Sequence, residues 1–252
     1  MMDVLVLQHI ACEPPGVYGD ILREHAAHPR VARVELDEGE PLPDWRDFDA
    51  IVAMGGPMSV SDEAEHPWLA DEKRLIGEAV RAGTPFWGAC LGVQLLAASL
   101  GARVYRGPLP EVGIHRVQLT DEALADPVLE GFPRDLLTLQ WHGDTFDLPG
   151  GGVLLATSVA YPNQAFRFGR HAYGLQFHLE ISPALAAEWA EVPAYAASLE
   201  QVLGPGGLPQ LVEDLETHAG ELLAHGRRAF ERWLNLTVGS VAGARYSASA
   251  EP

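Results

Sequence analysis

The chain has 252 residues, enough for one α/β domain with an appendage. Its 17 Lys and Arg against 35 Asp and Glu leave a formal charge of −18, a field that repels nucleic acid and anionic lipid. The opening Met1-Met2-Asp3-Val4 has no basic leader, and no run approaches the roughly 20 apolar residues of a bilayer span, so the expected location is the cytoplasm. A reducing compartment also suits two cysteines, Cys12 and Cys90, read as free thiols.

Residues 4–8 form an apolar strand, 16–28 read as helix and 31–36 as a second strand. A third, at 51–54, runs into Met54-Gly55-Gly56-Pro57. Leu69, Leu75, Ile76, Ala79 and Val80 recur at helical spacing within 67–82, and Gly83 stops that helix. Thr84-Pro85-Phe86-Trp87 is a buried strand, and a helix over 93–100 ends at Gly101. This alternation predicts a mainly parallel sheet flanked by helices, with chemistry at the carboxyl ends of the strands.

From 103 the pattern changes to short strands at 103–106, 113–119, 137–141, 153–157, 164–168 and 171–177. The last two are joined as a hairpin at Gly169-Arg170, and 122–129 is a short helix. This stretch is the smaller antiparallel portion. Helices return at 185–190 and 208–236, the latter bent or divided because Gly220 and Gly226 fall inside it. The Ala-, Ser- and Gly-rich segment from Gly239 has no core-forming pattern and is expected to be disordered. The organisation expected is a domain over 1–190, a helical C-terminal extension over 191–238 and a tail over 239–252.

Three segments carry chemistry. In Gly88-Ala89-Cys90-Leu91-Gly92-Val93-Gln94 a thiol sits between strand and helix. Flanking glycines permit a sharp bend there, and the helix N-terminus favours thiolate. In Gln176-Phe177-His178-Leu179-Glu180 the histidine and glutamate share one side of an extended chain, so the carboxylate can fix the imidazole tautomer. The Gly55-Gly56 pair lets backbone amides approach a developing oxyanion. Each has a bland counterpart: a packed cysteine, a surface ion pair, a plain turn. Their joint presence at strand ends has the logic of a Cys-His-Glu triad.

Together these segments resemble class I glutamine amidotransferases, most closely the branch similar to the amidotransferase part of GMP synthase. Glu111-Val112-Gly113 and Trp141-His142-Gly143-Asp144 add to the likeness, which covers roughly residues 3–190. The resemblance implies a flavodoxin-like fold and hydrolysis of a γ-glutamyl amide through a thioester. It implies Cys90 as nucleophile, His178 as general base and acid, and Glu180 as its orienting partner. It further implies Gly56 and Leu91 amides as the oxyanion hole, and Gln94, Trp141 and His142 as contacts to the amino-acid end of the substrate.

Two positions depart from the family. Leu179 stands where proline is common, and Trp87 where smaller aliphatic residues are usual.

No synthetase segment follows 190, so a stand-alone chain is expected, acting on glutamine or another small γ-glutamyl compound. Its partner could be a separate synthetase subunit, with no nucleic acid or membrane. His115, His142, His171 and His178 lack ligand spacing, and no metal or other cofactor is expected. The competing readings are a self-sufficient γ-glutamyl hydrolase or peptidase, and a binding or regulatory module that keeps the fold without the reaction.

Overall fold

The computed structural model describes residues 2–248. One nine-stranded sheet organises the chain: β1 (Asp3–Gln8), β2 (Arg30–Glu35), β3 (Ala50–Ala53), β4 (Phe86–Ala89), β5 (Val104–Leu119), β6 (Asp135–Phe146), β7 (Gly152–Thr157), β8 (Ala165–Phe168) and β9 (Ala172–Leu175). Their order is β2-β1-β3-β4-β9-β8-β7-β5-β6. The first five in that order pair in parallel and the remaining pairings are antiparallel. This is an α/β architecture whose parallel strands are those the alternation predicts. The antiparallel portion, expected to be smaller, continues the same sheet and supplies half of its pairings. Strand β9 joins the two halves, parallel to β4 and antiparallel to β8.

The parallel strands are buried on both faces, so their side chains alternate between two cores. Val4, Val6, Val52 and Trp87 face one core; Leu5, Leu7, Ile51 and Phe86 face the other. The second core is closed by α2 (Trp68–Arg81) and α3 (Leu91–Ser99). The first is closed by α1 (Gly16–Glu24), α5 (Pro183–Trp189), α6 (Pro193–Leu203) and α7 (Leu208–Ala248). A four-residue helix, α4 (Asp121–Leu124), replaces the longer one expected at 122–129.

Several elements differ from expectation. Strands expected at 103–106 and 113–119 are one strand, β5, because the register shift between Arg106 and Glu111 absorbs the break as a bulge. Helix α1 ends at Glu24, with His25 already extended. Helix α6 falls within the extension expected to be helical over 191–238, although no individual helix is marked at its position. Helix α7 is continuous across Gly220 and Gly226, and it runs on past Gly239 to Ala248, where a disordered tail is expected from composition. The alanines there extend a helix that is already nucleated, which takes far less than starting one. The rest of that tail, 249–252, lies outside the described residues. Among the described residues no helix is long and apolar enough to cross a membrane.

Trp87, one of the departures from the family, is fully buried under the β4–α3 turn. Its ring meets Tyr18, Phe230 and Trp233 at centroid distances of 5.6, 5.5 and 5.7 Å. A smaller side chain would leave a void between the sheet and α7. The substitution is therefore part of how the C-terminal helix is seated.

Candidate active site

Strand β4 hands over to α3 at Cys90, which takes φ 51° and ψ −106°, outside the regions that L-residues favour. The chain can fold so sharply because neither flanking glycine has a side chain. A Cβ on Gly88 would lie 2.6 Å from the Gly92 carbonyl carbon, and one on Gly92 would lie 2.2 Å from the Ala53 oxygen. The Cys90 amide donates to Leu175 O at 2.8 Å, pinning the turn to the end of β9.

Beyond Leu175 the chain leaves the sheet. His178 still exchanges backbone hydrogen bonds with Leu139 of β6, at 2.8 and 3.1 Å. Its Nδ1 lies 2.7 Å from Glu180 Oε1, and both side chains are buried. The Leu179 amide donates to Glu180 Oε2 at 2.9 Å, a bond that proline could not make. The second departure from the family thus gives the carboxylate an additional donor.

The His178 ring and the Cys90 thiol are close enough for each to shift the titration of the other. Burial disfavours the charged imidazole, yet Glu180 and Cys90 together hold its pKa well above the ordinary value. Burial pushes the Cys90 thiol up, against the pull of His178. Burial thus opposes the thiolate that the helix N-terminus favours.

A cavity of about 320 Å³ opens above the thiol, lined in part by Gly56, Cys90, Gln94, Trp141 and His142. Neither the Gly56 nor the Leu91 amide donates to a backbone acceptor among the described residues. The two residues adjoin, since a Cβ on Gly56 would be 2.9 Å from Leu91 Cδ2. Gln94 Nε2 donates to Gln176 Oε1 at 3.1 Å, and Gln176 Nε2 approaches Cys90 Sγ at 3.7 Å. The Trp141 carbonyl faces the same sulfur at 3.9 Å. His142 is held by the Asp144 carbonyl at 2.9 Å and by Glu111 Oε2 at 3.2 Å. All eight residues singled out from the sequence gather around one thiol, although only five of them line the cavity and Leu91, His178 and Glu180 stand behind it.

Four polar residues of this neighbourhood escape a reading of the sequence. Glu13 is fully buried, accepts a hydrogen bond from the Tyr195 hydroxyl, and has its carboxyl pushed up to about 7, mainly by burial and against the pull of His178. Tyr195 and Ser198 come from α6 and line the cavity, and Ser198 Oγ accepts from the Trp141 indole at 3.0 Å. His9 lies beneath the Gly55-Gly56 loop, with Nδ1 3.0 Å from Gly55 O and Nε2 2.9 Å from Glu72 Oε1. Position alone could have flagged His9 and Glu13, for both follow the carboxyl end of a central parallel strand.

A thiol on a strained strand-to-helix turn, an imidazole paired with a carboxylate and a cavity meet at the carboxyl ends of the parallel strands of an α/β protein. The class-I glutamine amidotransferase family model matches residues 21–189. Among curated relatives, the glutamine amidotransferase-like protein YfeJ of Salmonella typhimurium is 33% identical over 184 residues, 72% of this chain and 77% of that one. One subunit of the glutamine-hydrolysing GMP synthase of Saccharolobus solfataricus is 34% identical over 168 residues, 66% of this chain and 85% of its own. A solved glutamine amidotransferase from Thermotoga maritima superposes with a TM-score of 0.80 at 35% identity, covering 92% of this chain and 97% of that one. The chain belongs to the class I glutamine amidotransferase family.

Proposed function

We propose that the chain hydrolyses a γ-glutamyl amide, glutamine in the simplest case, through a thioester on Cys90. The observation that supports this most is the buried Cys90 at a strained turn, facing an imidazole whose Nδ1 is held 2.7 Å from Glu180. With Nδ1–H donated to Glu180, Nε2 is left to receive the thiol proton. Because burial disfavours a lone thiolate, the proton moves as sulfur attacks and the thiolate forms beside imidazolium rather than in advance.

Attack on the side-chain amide carbon makes a tetrahedral oxyanion, for which the Gly56 and Leu91 amides are the donors. Imidazolium returns its proton to the nitrogen, the C–N bond breaks, and ammonia leaves a γ-glutamyl thioester. His178 then takes a proton from water as it attacks the thioester. Glutamate departs and the thiol is restored, so one water is consumed for each ammonia released. Gln94, with the backbone at Trp141 and His142, contacts the amino-acid end of the substrate.

Ammonia release from glutamine should disappear in Cys90→Ala while the melting temperature holds. Turnover near wild type in that variant would overturn the assignment.

One observation favours a second version of the same chemistry. The cavity is roofed by α6 of the chain itself, through Ala194, Tyr195 and Ser198. Such a roof suits a cytoplasmic hydrolase of small γ-glutamyl compounds as well as a glutaminase serving a separate synthetase. Ammonia release from glutamine, compared with cleavage of γ-glutamyl dipeptides by the chain alone, separates the two.

A further inference from the structure

The loop that presents the Gly56 amide is built from two glycines, a sequence that resists peptide rotation poorly. A side chain on either glycine would have to displace its neighbours before it could stiffen the loop. A Cβ on Gly55 would lie 1.9 Å from Glu13 Oε2, and one on Gly56 would lie 2.6 Å from Met58 Sδ and 3.0 Å from His9 Cβ. Rigidity has to come from outside the loop, and His9 is placed to supply it. Its Nδ1 lies 3.0 Å from the Gly55 carbonyl oxygen. That carbonyl and the Gly56 N–H belong to one peptide unit, so fixing the oxygen fixes the direction of the amide hydrogen.

A carbonyl can only accept, so Nδ1 carries the hydrogen of this bond. On the far side of the ring, Nε2 meets Glu72 Oε1 at 2.9 Å, and both side chains are wholly buried. The Trp68 ring is stacked on the imidazole at a centroid distance of 5.6 Å. Beyond Glu72, Glu13 also favours the protonated form of His9. A buried pair of this kind contributes little net stability, and its place directly beneath the glycine loop points to a positioning role.

We propose that His9, anchored by Glu72, is a positioning residue that locks the Gly55–Gly56 peptide with its N–H toward the cavity, so that the oxyanion hole is formed before substrate arrives. This rests on the thioester chemistry proposed above. His9 does not touch the substrate; it acts through one peptide plane, and a hydrogen bond to the carbonyl also polarises the amide at the other end.

The isosteric pair His9→Asn and His9→Gln tests this, because an Asn amide nitrogen can stand near Nδ1 whereas a Gln amide stands near Nε2. His9→Asn should keep kcat within about fivefold of wild type. His9→Gln should lower it about 10- to 100-fold, below the full loss of one oxyanion donor. KM for glutamine, and its Kd measured in a Cys90→Ala background, should stay within twofold. Glutamate γ-semialdehyde, which adds to the thiol and places an oxyanion in the hole, should bind more weakly in proportion to kcat.

Equal kcat in the two variants, or a loss expressed in KM alone, overturns the inference. If either variant does not fold, histidine-labelled NMR of the wild-type chain decides. A hydrogen on His9 Nδ1 coupled to the Gly55 carbonyl supports the lock, and an unprotonated Nδ1 refutes it. Activity surviving in Cys90→Ala would instead bring down the thioester chemistry itself, an outcome distinct from any His9 result.

Discussion

The elbow at 88–92 and the helical cover, α6 on the cavity with α5 behind it against His178, meet at the same site, but they are held by different means. The elbow is fixed by backbone: a positive φ at Cys90, two glycines with no room for a Cβ, and one amide donated to β9. The cover is fixed by side chains: Trp189 edge-on to the His178 ring at 4.7 Å, its indole donating to Cys12 O at 2.8 Å, and Tyr195 bonded to Glu13. Backbone constraints leave a mark in local sequence, and side-chain constraints between distant segments do not. The comparison therefore separates a half defined by backbone geometry from a half defined by side-chain contacts.

The largest effect expected on the elbow side is loss of the sulfur. Cys90→Ala should lower kcat by about 10⁴-fold or more, measured as ammonia release, with the fold intact. No substitution in α6 should approach that figure.

The next test sets one close glycine contact against another. Gly92→Ala drives a Cβ to 2.2 Å from Ala53 O, and Gly226→Ala drives one from α7 to 2.3 Å from Leu179 O. Each should cost about 1–3 kcal/mol by chemical denaturation. The elbow variant should lose more kcat, because its strain falls two residues from the thiol. A larger loss at Gly226 would place the sensitive half on the wrong side.

Glu13 gives a pH test of the seam between the halves. Its carboxyl is raised from 4.5 to about 7, so between those values the folded chain keeps a proton that the unfolded chain has released. That contribution to stability is full below the lower value and is lost as pH rises through the upper one. Glu13→Gln, which does not titrate, should gain on wild type by on the order of 3 kcal/mol between pH 4 and pH 8. Parallel stability curves for the two proteins would contradict this.

The smallest effect belongs to the cover. Tyr195→Phe removes the donor to Glu13 and should cost about 1–3 kcal/mol in stability. KM should rise a few-fold and kcat should move less, as steady-state kinetics would show.

This division also accounts for what could be read in advance. Gly88, Gly92 and Cys90 were legible because a strand, a thiol and a helix in that order leave few local conformations. His178 and Glu180 were legible because two residues of extended chain set their relation. Helix α6 was not, since Tyr195 and Leu199 are buried only by contacts with distant segments. Gly226 reads as a point of weakness in a helix, and it is instead where α7 comes close enough to touch the backbone at 179. His9 and Glu13 stand in a loop whose inward face no periodicity reveals.

The most direct measurement is chemical: quench the chain with acid during turnover of glutamine and search its peptides for a γ-glutamyl thioester. The account predicts that adduct on the peptide carrying Cys90, formed with a burst of one ammonia per active chain and absent from Cys90→Ala. Ammonia released by wild type with Cys90 unmodified, or an acyl group found on any other residue, would contradict it.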